Sequence, residues 1–280
     1  MNLIYLLGAG RSGTTLIATV LNSNASITTI GEMHQFYEYL EDDKKCSCEK
    51  PLNKCKFWCE TYTCLDLKPV EISHNRKLVK IKEGHRNIPA LLFKKKEDQE
   101  YLNTQTPIFE CLKKNTETPW LLDSSKYVAR YLLLKRSKKI KIKGIYVIRD
   151  VRGVINSFGK QVQTTKSPIA TIIYYTLINL FAQLVCWLDK DVIKLKYEDF
   201  VDNPEKALDY ILKNTINEEA SVQLDNEFDM PHIIGGNRMK SNKQIIIKKD
   251  LNWKKTIPRN KQLLYYFLTF PLMILNKYKA

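Results

Sequence analysis

The fold is decided by the stretch Leu3-Ile4-Tyr5-Leu6-Leu7-Gly8-Ala9-Gly10-Arg11-Ser12-Gly13-Thr14-Thr15-Leu16 near the start of the chain. A short apolar run gives way to glycine, arginine and hydroxyl side chains, and apolar periodicity then resumes. The pattern predicts a strand, a loop and a helix. The spacing Gly8-x4-Gly13-Thr14-Thr15 is typical of a phosphate-binding loop, in which backbone N–H groups and a helix N-terminus converge on an anion.

One position separates this loop from those that bind nucleoside triphosphates. Such loops place a lysine after the second glycine, beside a serine or threonine that holds magnesium. Thr14 stands where the lysine would be, and Arg11 lies inside the loop. We therefore expect the loop to bind a single 5′ phosphate that carries a further small anionic group. A P-loop kinase or NTPase is the alternative, and the missing lysine and the lack of a clear second magnesium carboxylate argue against it.

Apolar runs of strand length alternate with helical patterns along the rest of the chain. The predicted strands are 3–7, 27–30, 120–122, 144–148 and 192–195. The predicted helices are 14–21, 127–135, 151–160, 169–188 and 204–213. This alternation predicts an α/β fold, a P-loop-type sandwich with a central parallel sheet flanked by helices. We expect one domain over residues 1–280, with an apolar C-terminal helix over 259–277.

Residues from about 41 to 118 interrupt the alternation, because they are rich in lysine and cysteine and show little periodicity. We expect them to form an inserted cap over the sheet edge, where acceptor specificity would lie. The clustered cysteines are Cys46, Cys48, Cys55, Cys59 and Cys64, with Cys111 and Cys186 apart. Their spacing lacks the paired C-x2-C motifs of common zinc sites. For a reducing cytoplasm we expect free thiols or a local metal ion rather than disulfides.

The chain is strongly basic, with 45 Lys and Arg against 30 Asp and Glu and a net charge of +15. Such a charge suits polyanionic ligands, among them a nucleotide, an anionic glycan, a nucleic acid or a membrane surface. A non-catalytic nucleic-acid-binding module is thus a further hypothesis. It predicts basic and aromatic residues interleaved on one face, a pattern that the sequence lacks, so we expect no nucleic-acid partner.

Two apolar stretches, 172–188 and 263–275, fall short of the roughly 20 residues that a membrane-spanning helix requires. Both are expected to be buried helices, since the first carries polar residues and the second contains Pro271. Peripheral attachment of the C-terminal helix to the inner face of the membrane is the alternative. Met1-Asn2 leads straight into the first strand without a basic leader, so we expect a cytoplasmic protein.

Polar residues follow each of the five predicted strands. In chain order they are the phosphate-binding loop, Gly31-Glu32, Asp123-Ser124-Ser125-Lys126, Arg149-Asp150 and Tyr197-Glu198-Asp199. Ligands of open α/β sheets bind outside the carboxyl ends of the strands. The sequence therefore predicts a functional edge built from these five junctions.

Two of these segments resemble the PAPS-dependent sulfotransferases, in particular the branch of bacterial carbohydrate and protein-tyrosine sulfotransferases. The run 11–16 is similar to the 5′-phosphosulfate loop of that family, and the run 146–157 is similar to its 3′-phosphate segment. The resemblance implies a set of PAPS-binding residues, namely Arg11, Ser12, Gly13, Thr14 and Thr15 at the 5′ end and Arg149 and Ser157 at the 3′ phosphate. A simple strand-end salt bridge of Arg149 with Asp150 or another carboxylate is the alternative.

Transfer of a sulfuryl group to a hydroxyl requires a base that removes the acceptor proton. The resemblance implies that this base is Glu32, which lies 21 residues after Arg11. His34 is the rival base, because the cytosolic small-molecule branch of the family uses histidine. The other alternative is a structural role for Glu32, in which its carboxylate only interacts with the dipole of the following helix. Arg11 would stabilise charge on the leaving phosphate.

Three further segments resemble parts of the family. Lys126 is the second candidate for contact with the transferring group. Tyr197 is similar to a strand-end tyrosine near the nucleotide, and a half-buried packing tyrosine is the alternative. The late segment 232–240 is similar to a glycine-containing basic loop, which would offer Arg238 or Lys240 to the 3′ phosphate.

Together these observations predict a sulfotransferase that uses PAPS as donor and leaves PAP as product. No metal is expected in the reaction, because arginine and backbone N–H groups can neutralise a phosphosulfate. The expected acceptor is a sugar hydroxyl on a glycan or glycolipid, which fits the basic composition and the apolar C-terminal helix. Protein tyrosine is the alternative acceptor, and a small alcohol or lipid stays open.

Overall fold

A computed structural model of the chain describes residues 1–94, 96–160, 165–219, 227–236 and 238–280, with only the backbone at Arg238. The strands of the central sheet are β1 Asn2–Leu7, β2 Ile27–Gly31, β3 Trp120–Lys126, β4 Lys141–Ile148 and β5 Val192–Lys196. They form a five-stranded parallel sheet in the order β2-β3-β1-β4-β5. The short strands β6 Phe228–Asp229 and β7 Gln244–Ile245 form a separate antiparallel pair.

The helices flank this sheet. In chain order they are α1 Thr14–Leu21, α2 Phe36–Glu41, α3 Cys59–Leu65, α4 Pro69–Lys82, α5 Ile88–Phe93, α6 Gln99–Lys114, α7 Val128–Lys135, α8 Val151–Gly159, α9 Pro168–Leu188, α10 Tyr197–Asp202, α11 Pro204–Thr215, α12 Trp253–Thr256, α13 Arg259–Leu268 and α14 Phe270–Leu275. The predicted α/β class is therefore confirmed. Each helix predicted outside the insertion and the C-terminus is present, with ends that differ from the prediction by two residues or fewer.

The central strands are buried because they are apolar along almost their whole length. Residues 3–7 of β1 are each at most 1% exposed, and residues 145–148 of β4 are 0% exposed. Continuous apolar runs of this kind are typical of parallel strands covered on both faces. Strand β3 continues past the predicted end at Leu122, because Asp123, Ser124 and Ser125 are buried polar residues that remain in the sheet.

The chain divides into two compact units. Unit 1 comprises Met1–Leu7, Thr15–Gly144 and Phe228–Ile245. Unit 2 comprises Gly8–Thr14, Ile145–Glu227 and Ile246–Ala280. The single domain expected over residues 1–280 stays a prediction.

The segment expected as an insertion contains the helices α3, α4, α5 and α6. Cys64 of α3 and Cys111 of α6 are joined by a disulfide, although 47 residues separate them in sequence. This corrects the expectation that the cysteines are not disulfide-bonded. The physical reason is that α3 packs on α6, which brings the two Cα atoms to 5.9 Å, within the range that a disulfide requires.

The apolar C-terminal stretch differs from the single helix expected over 259–277. It forms the two helices α13 and α14, which are separated at Thr269. Pro271 explains the break, because a proline has no N–H to donate to the preceding turn and is tolerated only in the first turn of a helix. Exposed apolar side chains occur on both helices, among them Phe267, Phe270 and Ile274.

Helix α9 is longer than the apolar stretch recognised in the sequence. Its 21 residues are apolar enough to cross a membrane by length and composition, and 44% of its most apolar window is buried within the protein. The expectation that this stretch falls short of the required length is therefore corrected. One face of the helix nevertheless packs inside unit 2, where Tyr175 donates a hydrogen bond to the carbonyl oxygen of Arg149 (2.8 Å).

Candidate active site

The phosphate-binding loop connects β1 to α1 and belongs mostly to unit 2. Gly8, Arg11 and Gly13 have positive φ angles of 135°, 69° and 86°, so the loop turns in a way that side chains other than glycine rarely allow. A Cβ atom at Gly13 would collide with the ring of Tyr197, and one at Gly8 would collide with the carbonyl oxygen of Val147. Both glycines are therefore required by the close approach of neighbouring groups.

Ser12 supplies the test of whether this loop fits a bound phosphate. The residue is 0% exposed, and its Oγ atom has no hydrogen-bond partner among the described residues. Burying a hydroxyl group without a hydrogen-bond partner costs free energy, so such a group calls for a partner such as a ligand or a water molecule. Helix α1 begins two residues later, at Thr14, and its first backbone N–H groups have no partner within the helix. The loop therefore fits a phosphate group.

The rest of the loop is held by aromatic side chains of unit 2. The backbone N–H of Gly10 donates to the hydroxyl of Tyr174 (2.9 Å). The guanidinium of Arg11 lies 5.4 Å from the centre of the Phe158 ring, a cation–π distance. Sequence reasoning missed Tyr174 and Phe158, because neither belongs to a recognisable motif.

Arg149 directly follows β4, and its side chain contacts the phosphate-binding loop. Its guanidinium donates to the carbonyl oxygen of Arg11 (3.1 Å) and lies 4.3 Å from the centre of the Tyr197 ring. Gly153 leaves the space that it needs, since a Cβ there would lie 3.0 Å from the Nε atom. The residues expected at the two ends of the nucleotide therefore meet within unit 2.

The carboxylate partner of Arg149 is Asp250, at a distance of 3.1 Å, and not the neighbouring Asp150. Asp150 instead accepts from the backbone N–H of Arg152 as the N-cap of α8 and forms a buried ion pair with the Arg152 guanidinium (2.7 Å). The pairing of Arg149 with Asp150 is thus wrong, whereas the alternative of a salt bridge with another carboxylate matches the pair that Arg149 forms with Asp250. Sequence reasoning missed Asp250, since 101 residues separate it from its partner.

Two other residues expected at the nucleotide lie in the same unit. Tyr197 begins α10 and packs under both Gly13 and Arg149, and burial raises the pKa of its hydroxyl. Ser157 is half-buried on α8, two turns beyond Arg149. Their contact with a nucleotide stays a prediction.

Glu32 follows β2 in unit 1 and is almost buried, with 8% of its surface exposed. Its Oε1 atom pairs with the ammonium group of Lys126, and its Oε2 atom accepts a hydrogen bond from the side-chain amide of Gln35 (3.0 Å). Both carboxylate oxygens are thereby oriented. Lys126, expected on the transferring group, therefore holds the carboxylate of Glu32 in this structure.

His34, the rival base, has a different environment. Its backbone N–H donates to the Ser125 hydroxyl (3.0 Å), and its ring lies 4.4 Å from the ring of Tyr127. Burial, reinforced by the positive charges of Lys126 and Arg130, holds the pKa of the imidazole well below its usual range. The imidazole of His34 is therefore less readily protonated than that of an ordinary histidine.

Behind Glu32 lies a buried charge network that sequence reasoning did not find. Asp123 accepts hydrogen bonds from the backbone N–H of Met33 (3.4 Å) and from the Nε atom of Arg130 (2.9 Å). Arg130, 0% exposed, also donates to Glu83 (2.7 Å) of the inserted segment. The buried ion pairs fix the backbone that follows β2, so the aspartate of Asp-Ser-Ser-Lys has a positioning role.

The late basic segment is only partly described. Lys240 donates to the hydroxyl of Tyr39 (2.7 Å) within unit 1. The side chain of Arg238 lies outside the described residues, and so does Asn237. Contact of either basic side chain with the 3′ phosphate stays a prediction. The same segment does contact the candidate base, since the Ile234 carbonyl oxygen accepts from the backbone N–H of Glu32 (2.7 Å).

The parallel sheet and the glycine-bearing loop after β1 define a P-loop-type α/β protein. Residues 4–215 match the sequence model of the sulfotransferase family, and the chain belongs to this family. It is therefore an enzyme that transfers sulfuryl groups. Comparison with curated proteins gives no match.

Solved structures agree with this assignment at the level of the fold. The sulfotransferase domain from the curacin biosynthetic pathway is 18% identical, with 100% of this chain and 98% of that domain covered and a TM-score of 0.59. The sulfotransferase domain from the Synechococcus PCC 7002 olefin synthase is also 18% identical, with 100% and 96% covered and a TM-score of 0.57. At these identities the similarity shows the fold.

Proposed function

We propose that the enzyme transfers the sulfuryl group of PAPS to an acceptor hydroxyl and releases PAP. The observation that carries this proposal is the loop around Ser12, whose buried hydroxyl has no partner among the described residues and whose residues Gly8, Arg11 and Gly13 have positive φ angles. The family match supports the sulfuryl chemistry. PAPS, when bound, supplies the sulfuryl group and a PAP leaving group.

The donor would be held by residues of the phosphate-binding loop, by Arg149 after β4 and by Ser157 of α8. Ser12, Gly13, Thr14 and Thr15 would bind the 5′ phosphate through backbone N–H groups and hydroxyls, as helix N-termini bind anions. Arg149 and Ser157 would bind the 3′ phosphate, with Arg149 exchanging the Asp250 carboxylate for the phosphate. Arg11 would stabilise negative charge on the leaving phosphate, which is where electrostatic stabilisation is most effective.

Glu32 would accept the proton of the acceptor hydroxyl as the new S–O bond forms. Lys126 and Gln35 bind its two carboxylate oxygens, so the base is held in one orientation before the acceptor arrives. We propose that positioning Glu32 is the first role of Lys126, and contact with the transferring group remains its predicted second role. The reaction as proposed uses no metal.

We propose a carbohydrate or a glycolipid as the acceptor. A cavity of about 460 Å³ lies in unit 1 beside His34 and Gln35, the neighbours of Glu32. Tyr127 and His85 line it with their rings 5.0 Å apart, and Glu38 and Arg76 add charged groups. A wall of aromatic rings and hydrogen-bonding groups suits a sugar, which presents an apolar face and many hydroxyls.

The acceptor class is tested by transfer of radioactive sulfuryl groups from 35S-labelled PAPS to a panel of acceptors. The panel contains neutral oligosaccharides, glycolipids and tyrosine-containing acidic peptides. We expect label on the sugar-containing acceptors. Label confined to the peptides would replace the carbohydrate proposal by protein-tyrosine sulfation, and a label on none of them would contradict both.

We also propose that unit 2 attaches to an anionic membrane surface. The exposed apolar side chains of α13 and α14 include Phe267 and Phe270, which are 62% and 50% exposed, and Lys261 and Lys277 flank them. Apolar side chains bordered by lysines suit the boundary of an anionic bilayer. The cytoplasmic location predicted from the sequence would place the attachment at the inner face of a membrane. The Cys64–Cys111 disulfide argues against a cytoplasmic location, since disulfides persist mainly in oxidising compartments.

Membrane attachment predicts binding to vesicles that contain an anionic lipid and weaker binding to purely zwitterionic vesicles. Replacing Phe267 and Phe270 together by serine should reduce co-sedimentation about tenfold or more, because two apolar anchors of a few kcal/mol are lost. Phe93→Ser, a change at an 85% exposed residue of unit 1, is the matched control and should bind like the parent chain. Equal binding by all three proteins would overturn the attachment site.

A further inference from the structure

Three thiols and one imidazole converge in unit 1, outside the residues proposed for sulfuryl transfer. Cys46, Cys48, Cys55 and His232 each offer one ligand atom, and these atoms all lie within 4.8 Å of one another. The Sγ atom of Cys55 is 3.3 Å from Nδ1 of His232 and 3.5 Å from Sγ of Cys48. Cys46 and Cys55 are buried, and the other two are half-buried.

We propose that these four residues form a structural zinc site. A tetrahedral zinc ion with Zn–S bonds of about 2.3 Å and Zn–N bonds of about 2.0–2.1 Å sets its sulfur atoms about 3.8 Å apart and its sulfur and nitrogen atoms about 3.5 Å apart. The distances from Cys55 to Cys48 and to His232 lie close to these values before any metal is placed. Three thiolates and one imidazole are a ligand set typical of structural zinc.

Disulfide formation explains the cluster less well. It would pair two of the three thiols and leave the third thiol and the imidazole unexplained. Cys59 shows the contrast, because it follows the cluster closely in sequence yet its Sγ atom contacts the carbonyl oxygen of Lys56 (3.7 Å) rather than the other thiols. The structure thus selects three of the clustered cysteines and adds a histidine that lies 177 residues beyond Cys55.

The zinc ion would join the inserted segment to the late loop of the chain. Around the four ligands, Ser47 donates to the carbonyl oxygen of Pro231 (2.6 Å), and the indole N–H of Trp58 donates to that of His232 (3.0 Å). These bonds already hold the two segments side by side. A metal ion at their centre would fix the junction, as structural zinc does in small domains without large apolar cores.

The junction lies next to the proposed base. Two residues beyond His232, the Ile234 carbonyl oxygen accepts from the backbone N–H of Glu32. Gly235 has φ +66°, and a Cβ there would lie 2.6 Å from the Cβ of Glu32. The zinc site would therefore hold the loop that packs on Glu32, a consequence that rests on the proposed function of Glu32, whereas the metal site itself does not.

The test is the metal content of the full chain, purified with a reductant from cells supplied with zinc. Elemental analysis should find about one zinc per chain. Cys55→Ser and His232→Ala should lose it, whereas Cys59→Ser, the matched control, should keep it. His232→Cys should also keep it, because a fourth thiolate completes a zinc site equally well.

Cobalt substitution gives a second readout that does not depend on whether the variants fold. The unaltered chain, stripped of metal and loaded with Co²⁺, should show the visible bands of tetrahedral cobalt and a thiolate-to-metal charge-transfer band. Less than about 0.1 zinc per chain together with the absence of these bands would overturn the proposal. Iron or copper in place of zinc would overturn the choice of metal. Glu32→Gln should keep its zinc, so failure of the catalytic proposal and failure of the metal proposal are distinguishable.

Discussion

Glu32→Gln should lower kcat for sulfuryl transfer by about 10²–10⁴-fold, the range expected when a general base is removed. Glutamine keeps the size of the side chain and its hydrogen bond to Gln35 but cannot accept the proton of the acceptor hydroxyl. Because Glu32 is proposed to act on the acceptor hydroxyl and is not among the residues proposed to bind PAP, the affinity for PAP should change little. The measurement is steady-state transfer from 35S-labelled PAPS, with PAP affinity determined in parallel.

Two comparisons make the result specific to the base. Glu205→Gln, at an exposed glutamate of α11, is the matched control and should leave kcat unchanged. Lys126→Met should lower kcat less than Glu32→Gln, since it leaves the carboxylate in place but removes its ion pair. If Glu32→Gln retained more than about a tenth of the parental kcat, the base would have to be sought elsewhere, and His34→Gln would be the next variant to measure.

Arg149→Ala should raise the Kd for PAP by about 30–150-fold. That factor corresponds to about 2–3 kcal/mol, the loss expected when one partner of a buried, hydrogen-bonded charge pair is truncated. The Arg149 side chain is only 7% exposed, so its interaction with a phosphate is weakly screened by solvent. Binding is measured by calorimetry with PAP and with 5′-AMP, which lacks the 3′ phosphate.

The two ligands and a second variant identify which phosphate Arg149 binds. The Kd for 5′-AMP should rise by less than about fivefold in Arg149→Ala, since the bond that Arg149 donates to the loop is a single hydrogen bond to a backbone carbonyl oxygen, that of Arg11. Asp250→Asn removes the carboxylate that competes for Arg149 and should bind PAP as tightly as the parent chain or up to about fivefold more tightly. Equal weakening of PAP and 5′-AMP in Arg149→Ala would assign the arginine to the loop rather than to the 3′ phosphate.

Strands β1 and β4 were predictable because each contains a continuous apolar run that is followed by polar or glycine residues. Residues 3–7 and 145–148 have no competing interpretation as surface strands, and α1 begins at the predicted Thr14. Helix α8 follows directly from the N-cap Asp150, whose side chain accepts from the backbone N–H of Arg152. Local rules of burial and capping thus sufficed for these elements.

The parts that escaped prediction depend on contacts between distant residues. The Arg149–Asp250 pair, the Cys64–Cys111 disulfide and the approach of His232 to Cys55 each join residues that are 47 or more positions apart. The spacing of residues within a short sequence motif cannot predict contacts between residues so far apart in sequence. The Arg130 network was missed for another reason, since a single arginine in an apolar helix is usually exposed, and only its burial against Asp123 reveals its role.

The proposed site therefore combines motif residues with residues that only the fold reveals. Ser12 and Glu32 are recognisable from sequence, but the reasons for their proposed roles are structural. The hydroxyl of Ser12 is buried without a described partner, and the carboxylate of Glu32 is held by Lys126 and Gln35. The absence of the lysine from the phosphate-binding loop is the sequence feature that bears most directly on function, because it favours PAPS over ATP as the nucleotide that the loop binds.

The thermal stability of the purified chain with PAP, with ATP and magnesium, and with neither ligand tests the central claim most directly. PAP at about 100 times its Kd and without metal should stabilise the folded chain by about 2.7 kcal/mol and raise the Tm by about 5 °C or more. ATP with magnesium should have little effect, because Thr14 replaces the lysine that triphosphate-binding loops use. Stabilisation by ATP and magnesium but not by PAP would contradict the account and identify the loop as that of a kinase or NTPase.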